Sequence, residues 1–238
     1  MHGIIDFHSH ILPRIDDGSS SVEESVAMLQ MELQQQVSHV VATPHFYAHL
    51  DRPEHFLEKR TVAESQLREA MATMEVSPRL SVGAEVSFFR GISESDLLWK
   101  LTIDGKRCIL LEMPHAVWTD AMYRELEAIH TRQGLIPIIA HMDRYIGRFR
   151  TFGIPDRLSE LPVLVQVNAS FFCDSRTAKQ AVRLLKKGQI HLLGSDCHSV
   201  RGRTPNLGEA IKVIRSQLGE SALEYIRENQ KVFLSNND

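Results

Sequence analysis

Gly3-Ile4-Ile5-Asp6-Phe7-His8-Ser9-His10, followed by Ile15-Asp16-Asp17-Gly18, opens the chain and decides how the rest of it is read. A short apolar run ends in two histidines with one residue between them. On an extended strand, residues i and i+2 share a side, so His8 and His10 can reach one ion together. Asp6, two residues before His8, falls on that same face as a partner behind the ligands. Asp17 follows just past a Pro-containing turn as a further donor. Such a pair gains meaning if other parts of the chain supply ligands at matching places.

They do. Apolar runs recur at 3–7, 39–43, 80–84, 108–113, 136–140, 163–168 and 190–194. Several are apolar without alternation, as strands buried on both faces are. Segments of helical spacing lie between them: Val22 to Val37 after the Ser19–Ser21 cap signal, Phe56 to Met74, then 121–130, 177–187, 207–218 and 220–233. Gly134, Gly188 and Gly219 stand where helices stop, and 235–238 reads as a fraying end. Strands alternating with helices predict a parallel sheet with right-handed crossovers. At 238 residues, with no linker or repeat, one α/β domain over 1–238 is expected, a distorted (β/α)7 barrel.

Each run ends in a polar or ligating group. These are His8 and His10, then His45 after Thr43-Pro44, Glu85, Glu112, His141, Asn168 after Gln166, and finally Asp196 with His198. In a (β/α) barrel the C-terminal strand ends meet at one mouth, where active sites are built. Any one histidine is best read as a buried or surface residue, but the set in succession is not. With Asp17, His8, His10, His45, Glu85, Glu112, His141, Asp196 and His198 are too many donors for one ion. They predict two or three ions bridged by carboxylates. Histidine with carboxylates and no thiolate suits Mn, Fe, Zn or Mg in a catalytic site. Clustered divalent ions serve phosphoester hydrolysis. Arg144 and Arg203 follow ligands closely, where guanidinium groups can grip phosphate.

Composition excludes some alternatives. The net charge of −3 gives no reason to expect nucleic acid or an anionic membrane, and charged content of 24% is ordinary. Cys108, Cys173 and Cys197 are odd in number and far apart, which suggests neither a disulfide framework nor a zinc finger. With no signal region and no long apolar run, a cytoplasmic protein without membrane insertion is expected.

Asp6-Phe7-His8-Ser9-His10, Thr43-Pro44-His45, Glu85, Glu112, His141-Met142-Asp143-Arg144 and Ser195-Asp196-Cys197-His198 resemble the PHP (polymerase and histidinol phosphatase) metal signature. Their order and spacing, with Ile11-Leu12-Pro13 leading into Ile15-Asp16-Asp17-Gly18 and with Arg203-Thr204-Pro205, are most similar to bacterial manganese-dependent protein-tyrosine phosphatases of capsule and exopolysaccharide clusters, the CpsB/YwqE type. Met142-Asp143 stands where that family commonly has Pro-Glu. The resemblance spans residues 4 to about 233. It implies a seven-stranded barrel and three ions, Mn2+ first among the candidates. His8, His10, Glu85 and Asp196 would hold one ion, with Glu85 bridging to a second held by Glu112 and His141. Asp17, His45 and His198 would hold the third. It further implies attack on phosphorus by a metal-bridged hydroxide, with Arg144 and Arg203 on the phosphate. The implied substrate is phosphotyrosine on the tail of a cognate tyrosine kinase that regulates polysaccharide export.

Competing readings remain. Cys197 to Thr204 matches the C-x5-R-[ST] pattern of thiolate phosphatases, but the loop holds only Gly202 as a permissive residue, and the pattern leaves the other strand ends unexplained. A histidinol-phosphate or other small phosphomonoester phosphatase keeps the metals and changes the substrate. A PHP-type exonuclease is disfavoured by charge, and a metal-binding regulator without catalysis by the intact ligands and arginines. The stretches 46–53 and 143–155 are irregular and rich in aromatic and basic residues. Tyr145, Arg148, Phe149 and Arg150 could grip an aromatic phosphoester and its peptide flanks, or pack and be solvated. Phe46, Tyr47 and His49 present the same choice. His2, His39, His55, His130 and His191 read as non-ligands, and His115 as a partner to a ligand.

Overall fold

Every paired strand in the computed structural model of the chain, which describes residues 3–146 and 153–234, runs parallel to its neighbours. The strands are β1 (Asp6–Ser9), β2 (His39–Ala42), β3 (His45–Phe46), β4 (Arg79–Val82), β5 (Glu85–Ser87), β6 (Cys108–Glu112), β7 (Ile136–Ile139), β8 (Leu164–Asn168) and β9 (Leu192–Gly194). The helices are α1 (Val22–Gln34), α2 (Pro53–Met71), α3 (Leu98–Leu101), α4 (Asp120–Gln133), α5 (Ile154–Leu158), α6 (Ser170–Cys173), α7 (Ala178–Lys186), α8 (Leu207–Leu218) and α9 (Glu220–Leu234). Residues 235–238, His2 and the part of the 143–155 stretch that holds Arg148, Phe149 and Arg150 lie outside the described residues.

Two expected strands are each split in two. Pro44 has no N–H to give a ladder, so the second run breaks there into β2 and β3; the third breaks at Gly83-Ala84 into β4 and β5. β1, β2 and β4 form one sheet, and β3, β5, β6, β7, β8 and β9 the other. The breaks are bridged: the Thr43 N–H donates to Ser9 O (2.8 Å), and the Glu85 N–H to Pro44 O (2.9 Å). Beyond β9, the Asp196 N–H donates to His8 O (2.7 Å) and the His10 N–H to Cys197 O (2.9 Å), so the order returns to β1. The result is a distorted barrel with seven strand passes.

The first strand forms three residues later than its apolar run suggests, so His8 sits inside it. Its register shifts between Asp6 and Ser9, which matters below. Along β6 and β7, Cys108, Leu110, Ile138 and Ala140 alternate with residues that face the helices; with Ile5, Phe7, Val41 and Leu192 they fill the barrel interior. Phe233 of α9 packs edge-on against Phe7, with ring centroids 5.5 Å apart, and closes the end opposite the ligands. No helix among the described residues is long and apolar enough to cross a membrane.

Candidate metal centre

All nine expected ligands converge at one end of the barrel. His8 Nε2 and His10 Nε2 lie 3.1 Å apart. Glu85 Oε2 sits 3.2 and 3.3 Å from them, and Asp196 Oδ1 3.6 and 3.5 Å. A tetrahedron built on bonds of about 2.1 Å has edges of about 3.4 Å, and the spacings from the two imidazoles to each other and to both carboxylates are of that size. On one side, His141 Nε2 is 2.7 Å from Glu85 Oε1 and 3.6 Å from Glu112 Oε1, and His45 Nδ1 is 2.9 Å from Glu85 Oε2. On the other, Asp17 Oδ1 is 3.4 Å from His45 Nε2 and 3.5 Å from His198 Nε2. The groups overlap: His8 also faces the Glu85–His141 pair, and His10 the Asp17–His45–His198 group. Glu85 therefore lies at the centre of the cluster.

The donor chemistry fits divalent ions. Among the described residues, buried His141 Nδ1 has no hydrogen-bond partner, and buried Glu85 Oε2 and His45 Nδ1 face each other at 2.9 Å without hydrogen-bond geometry, a costly arrangement unless a ligand completes it. Burial alone would raise the carboxyls of Glu85 and Asp196, but the charge of His8 and hydrogen bonds from other imidazoles hold both below the ordinary range. Burial pushes His141 and His198 down to about 4, the direction that favours the neutral imidazole a metal takes. Burial works to lower His8 and His10 too, but the carboxylates of Glu85, Asp196 and Asp16 raise them, so an ion there must displace their protons.

A layer of polar groups orients these ligands. His10 Nδ1 meets Asp16 Oδ2 at 2.7 Å, and the same oxygen accepts the His45 N–H (3.0 Å). Burial works to raise Asp16, yet its bond to His10 brings it down to about 2. The His8 ring is oriented by Gln166: Oε1 lies 3.3 Å from His8 Nδ1 and accepts the His141 N–H at 2.6 Å. Asn168 donates from Nδ2 to Asp196 Oδ2 (2.9 Å). Sequence reasoning singled out Asn168 but missed Asp16 and Gln166 as orienting groups. Gln166 could have been found from its place two residues before Asn168 on the same strand face. His141 (φ 32°) and Asp196 (φ 53°) both adopt left-handed backbone. Such strain collects where a side chain must be aimed.

Two expectations are corrected, and the choice left open at Phe46 is decided. Asp6 does not share a face with the His8 ring: the irregularity in β1 turns it outward, beside Glu32 of α1 and Cys197. There Asp6 accepts from the His8 N–H (3.1 Å), the Ser195 N–H (2.8 Å) and the Ser195 hydroxyl (2.5 Å). It thus holds backbone, not an imidazole. Tyr145 is only 3% exposed and its hydroxyl donates to Met113 O (2.8 Å); it packs behind His141 and does not line the mouth. Phe46 is buried against Phe56 and belongs to the core, whereas Tyr47 stacks on His45 at 5.3 Å between ring centroids. His115 approaches Glu112 at 3.9 Å. Cys197 is fully buried, and burial followed by the nearby Asp6 charge pushes its thiol well above the ordinary range. That environment is the reverse of what a thiolate nucleophile needs.

Arg144 and Arg203 converge from opposite sides on Asp196. Arg144 Nη2 pairs with Oδ2; Arg203 Nη2 lies 2.6 Å from Oδ1, with Nη1 2.9 Å from His198 Nε2. Between them opens a polar cavity of about 290 Å³, lined also by Asn168, Ser170 and Thr204. It adjoins the ligand cluster and presents two guanidinium groups.

The family described as "Capsular polysaccharide synthesis, CpsB/CapC" matches residues 4–235. The chain belongs to that family. Relatives of the chain include the tyrosine-protein phosphatase YwqE of Bacillus subtilis, 27% identical over 98% of this chain and 92% of that protein. Another is the tyrosine-protein phosphatase CpsB of Streptococcus pneumoniae, 29% identical over 91% of each. In three dimensions the chain is similar to a solved structure from a study of YwqE and CpsB, which are described there as metal-dependent tyrosine phosphatases. The TM-score is 0.82 at 22% identity, covering 99% of this chain and 96% of that one. A more distant likeness, to an amidohydrolase, has a TM-score of 0.56 at 10% identity over 98% of this chain and 74% of that one.

Proposed function

We propose that this CpsB/CapC-family chain is a metal-dependent phosphatase that hydrolyses phosphotyrosine on a protein. The observation that carries the reading is the ring of His8, His10, Glu85 and Asp196 at spacings suited to an ion, beside a cavity with two guanidinium groups. Three ions, manganese by preference, would be held by His8, His10, Glu85 and Asp196, by Glu85, Glu112 and His141, and by Asp17, His45 and His198. When bound, such a cluster supplies a water activated at neutral pH and positive charge around the phosphoryl oxygens.

The remaining steps belong to the chain's own side chains. Arg144 and Arg203 turn from Asp196 onto the phosphate and hold it by bidentate hydrogen bonds. Asp16 and Gln166 keep the His10 and His8 rings facing inward, so that their Nε2 atoms remain available. Asn168 fixes Asp196 as the arginines leave it. The buried Cys197 takes no part. The relatives named as tyrosine-protein phosphatases support the substrate class, and the family's description in capsular polysaccharide synthesis supports a tyrosine kinase tail that regulates export as the physiological target. We place this activity in the cytoplasm, in one domain over residues 1–238.

The test is rate measurement on purified protein. Hydrolysis of a phosphotyrosine peptide should disappear with chelator, return with Mn2+, and exceed hydrolysis of histidinol phosphate. Preference for histidinol phosphate would overturn the substrate, and indifference to chelator would overturn the metal.

A further inference from the structure

Outside the metal centre lies a groove of about 560 Å³ between the segment that leaves β5 and the first turns of α4. Its position follows from strand register. Ser87 pairs with Glu112, and the Phe88 N–H donates to Glu112 O (2.8 Å). Phe88, which lines the groove, is therefore one residue, about 3.3 Å of strand, beyond the partner of a candidate ligand. The opposite wall begins at Thr119, seven residues beyond Glu112 in the same chain. Both walls are thus the continuations of strands that deliver Glu85 and Glu112 to the metal centre.

The groove has an apolar floor and a positive rim. Phe88 and Met122 are half-buried within it, while Arg90 and Arg124 are exposed at its edge. Its carboxylates are already engaged. Glu125 accepts the Gly91 N–H (3.2 Å) and the Ser93 N–H (3.0 Å), and Glu94 pairs with Arg132 at 2.8 Å. Asp120, one turn before Arg124, is held by Arg157 at 2.6 Å. Among the described residues neither Arg90 nor Arg124 belongs to an ion pair, although Arg124, after Arg157, helps to lower the Asp120 carboxyl. Two exposed guanidinium groups outside any ion pair, over an apolar strip, suit an extended peptide that carries acidic side chains and an apolar residue.

We infer that this groove docks the acidic flank of the phosphotyrosine-bearing substrate, with Arg90 and Arg124 as its specificity-determining residues. The inference rests on the phosphotyrosine reading above, and adds to it a preference for acidic residues beside the modified tyrosine. It also predicts sensitivity to salt, since exposed pairs are screened.

The experiment compares the wild type with Arg90→Glu/Arg124→Glu on three substrates with Mn2+ present: p-nitrophenyl phosphate, a phosphotyrosine peptide with Glu flanks, and the same peptide with Lys flanks. The wild type should favour the Glu-flanked peptide. The double variant should lose about tenfold in kcat/KM on it, through KM, gain on the Lys-flanked peptide, and hydrolyse p-nitrophenyl phosphate within about twofold of wild type. Fluorescence anisotropy with the labelled Glu-flanked peptide reads docking without turnover and should show a matching loss of affinity. Equal wild-type rates and affinities for the two peptides, or a variant that loses as much on p-nitrophenyl phosphate as on the Glu-flanked peptide, would overturn the groove. A wild type that binds the Glu-flanked peptide tightly but hydrolyses neither peptide would retain the groove and overturn the phosphatase reading.

Discussion

Gly18→Ala tests the loop that ties the first strand to the metal centre. A Cβ at Gly18 would lie 2.2 Å from His10 O and 2.5 Å from His10 Cβ. Ordinary carbon contacts begin near 3.5 Å, so loop and histidine must separate by about 1 Å. Both contacts are to rigid parts of the His10 residue, and no rotamer change relieves them. The same loop carries Asp16 and Asp17. Separation therefore strains the Ser19 N–H to His10 O bond (3.0 Å), the His10 Nδ1 to Asp16 contact (2.7 Å) and the His45 N–H to Asp16 bond (3.0 Å). At about 1 kcal/mol each, the loss is about 2–3 kcal/mol, or about 4–12 °C in Tm for a chain of this size. Metal bonds tolerate only about 0.2 Å, so the site of Asp17, His45 and His198 should lose its ion, with activity falling about 100-fold. Calorimetry, elemental analysis and hydrolysis of p-nitrophenyl phosphate measure the three effects. A variant with wild-type Tm, full metal and full rate would refute the reasoning, because it would mean that the loop does not hold His10 and Asp17 together.

Other expectations follow from single contacts. Cys197→Ala should keep activity within about threefold, while chelator abolishes it in both proteins; loss in the variant combined with indifference to chelator would restore the thiolate mechanism. Arg203→Ala should lower turnover by about 100-fold with metal content unchanged, whereas depleted metal would mean that Arg203 acts by supporting His198 and Asp196. Glu32 is fully buried, and burial followed by the Asp6 charge raises its carboxyl well above the ordinary range. The folded chain thus binds that proton more tightly than the unfolded one, and the resulting stability is present below the unfolded pKa and lost as pH rises through the folded one. Glu32→Gln removes this dependence and should become more stable than wild type by about 1–3 kcal/mol as pH is raised from 5 to 9; a difference that stays flat with pH in chemical denaturation would refute it.

How much of the site is legible in the sequence depends on the kind of argument. The candidate ligands are legible because a parallel barrel buries its strands on both faces, leaving continuous apolar runs, and a polar residue at the end of such a run has one place to go. His45, Glu85, Glu112 and His141 all follow that logic. Their supporting groups are less visible. Asp16 and Asp17 are adjacent and chemically alike, yet the loop bends so that Asp16 orients His10 while Asp17 faces the histidines with its side chain 67% exposed. Nothing local separates those two roles.

The sequence by itself determined the fold class and the alternation of strands with helices, and it singled out the candidate donors and the two arginines, because periodicity and residue chemistry are local properties of the chain. Tertiary structure alone decided the rest. The shift in β1 defeats the two-residue rule and sends Asp6 outward to Glu32. The hydrogen bond to Met113 buries Tyr145. Pairing of Ser87 with Glu112 opens a basic groove beside the metal centre. Each of these depends on which strand lies beside which, and on a register set by backbone hydrogen bonds between residues distant in sequence.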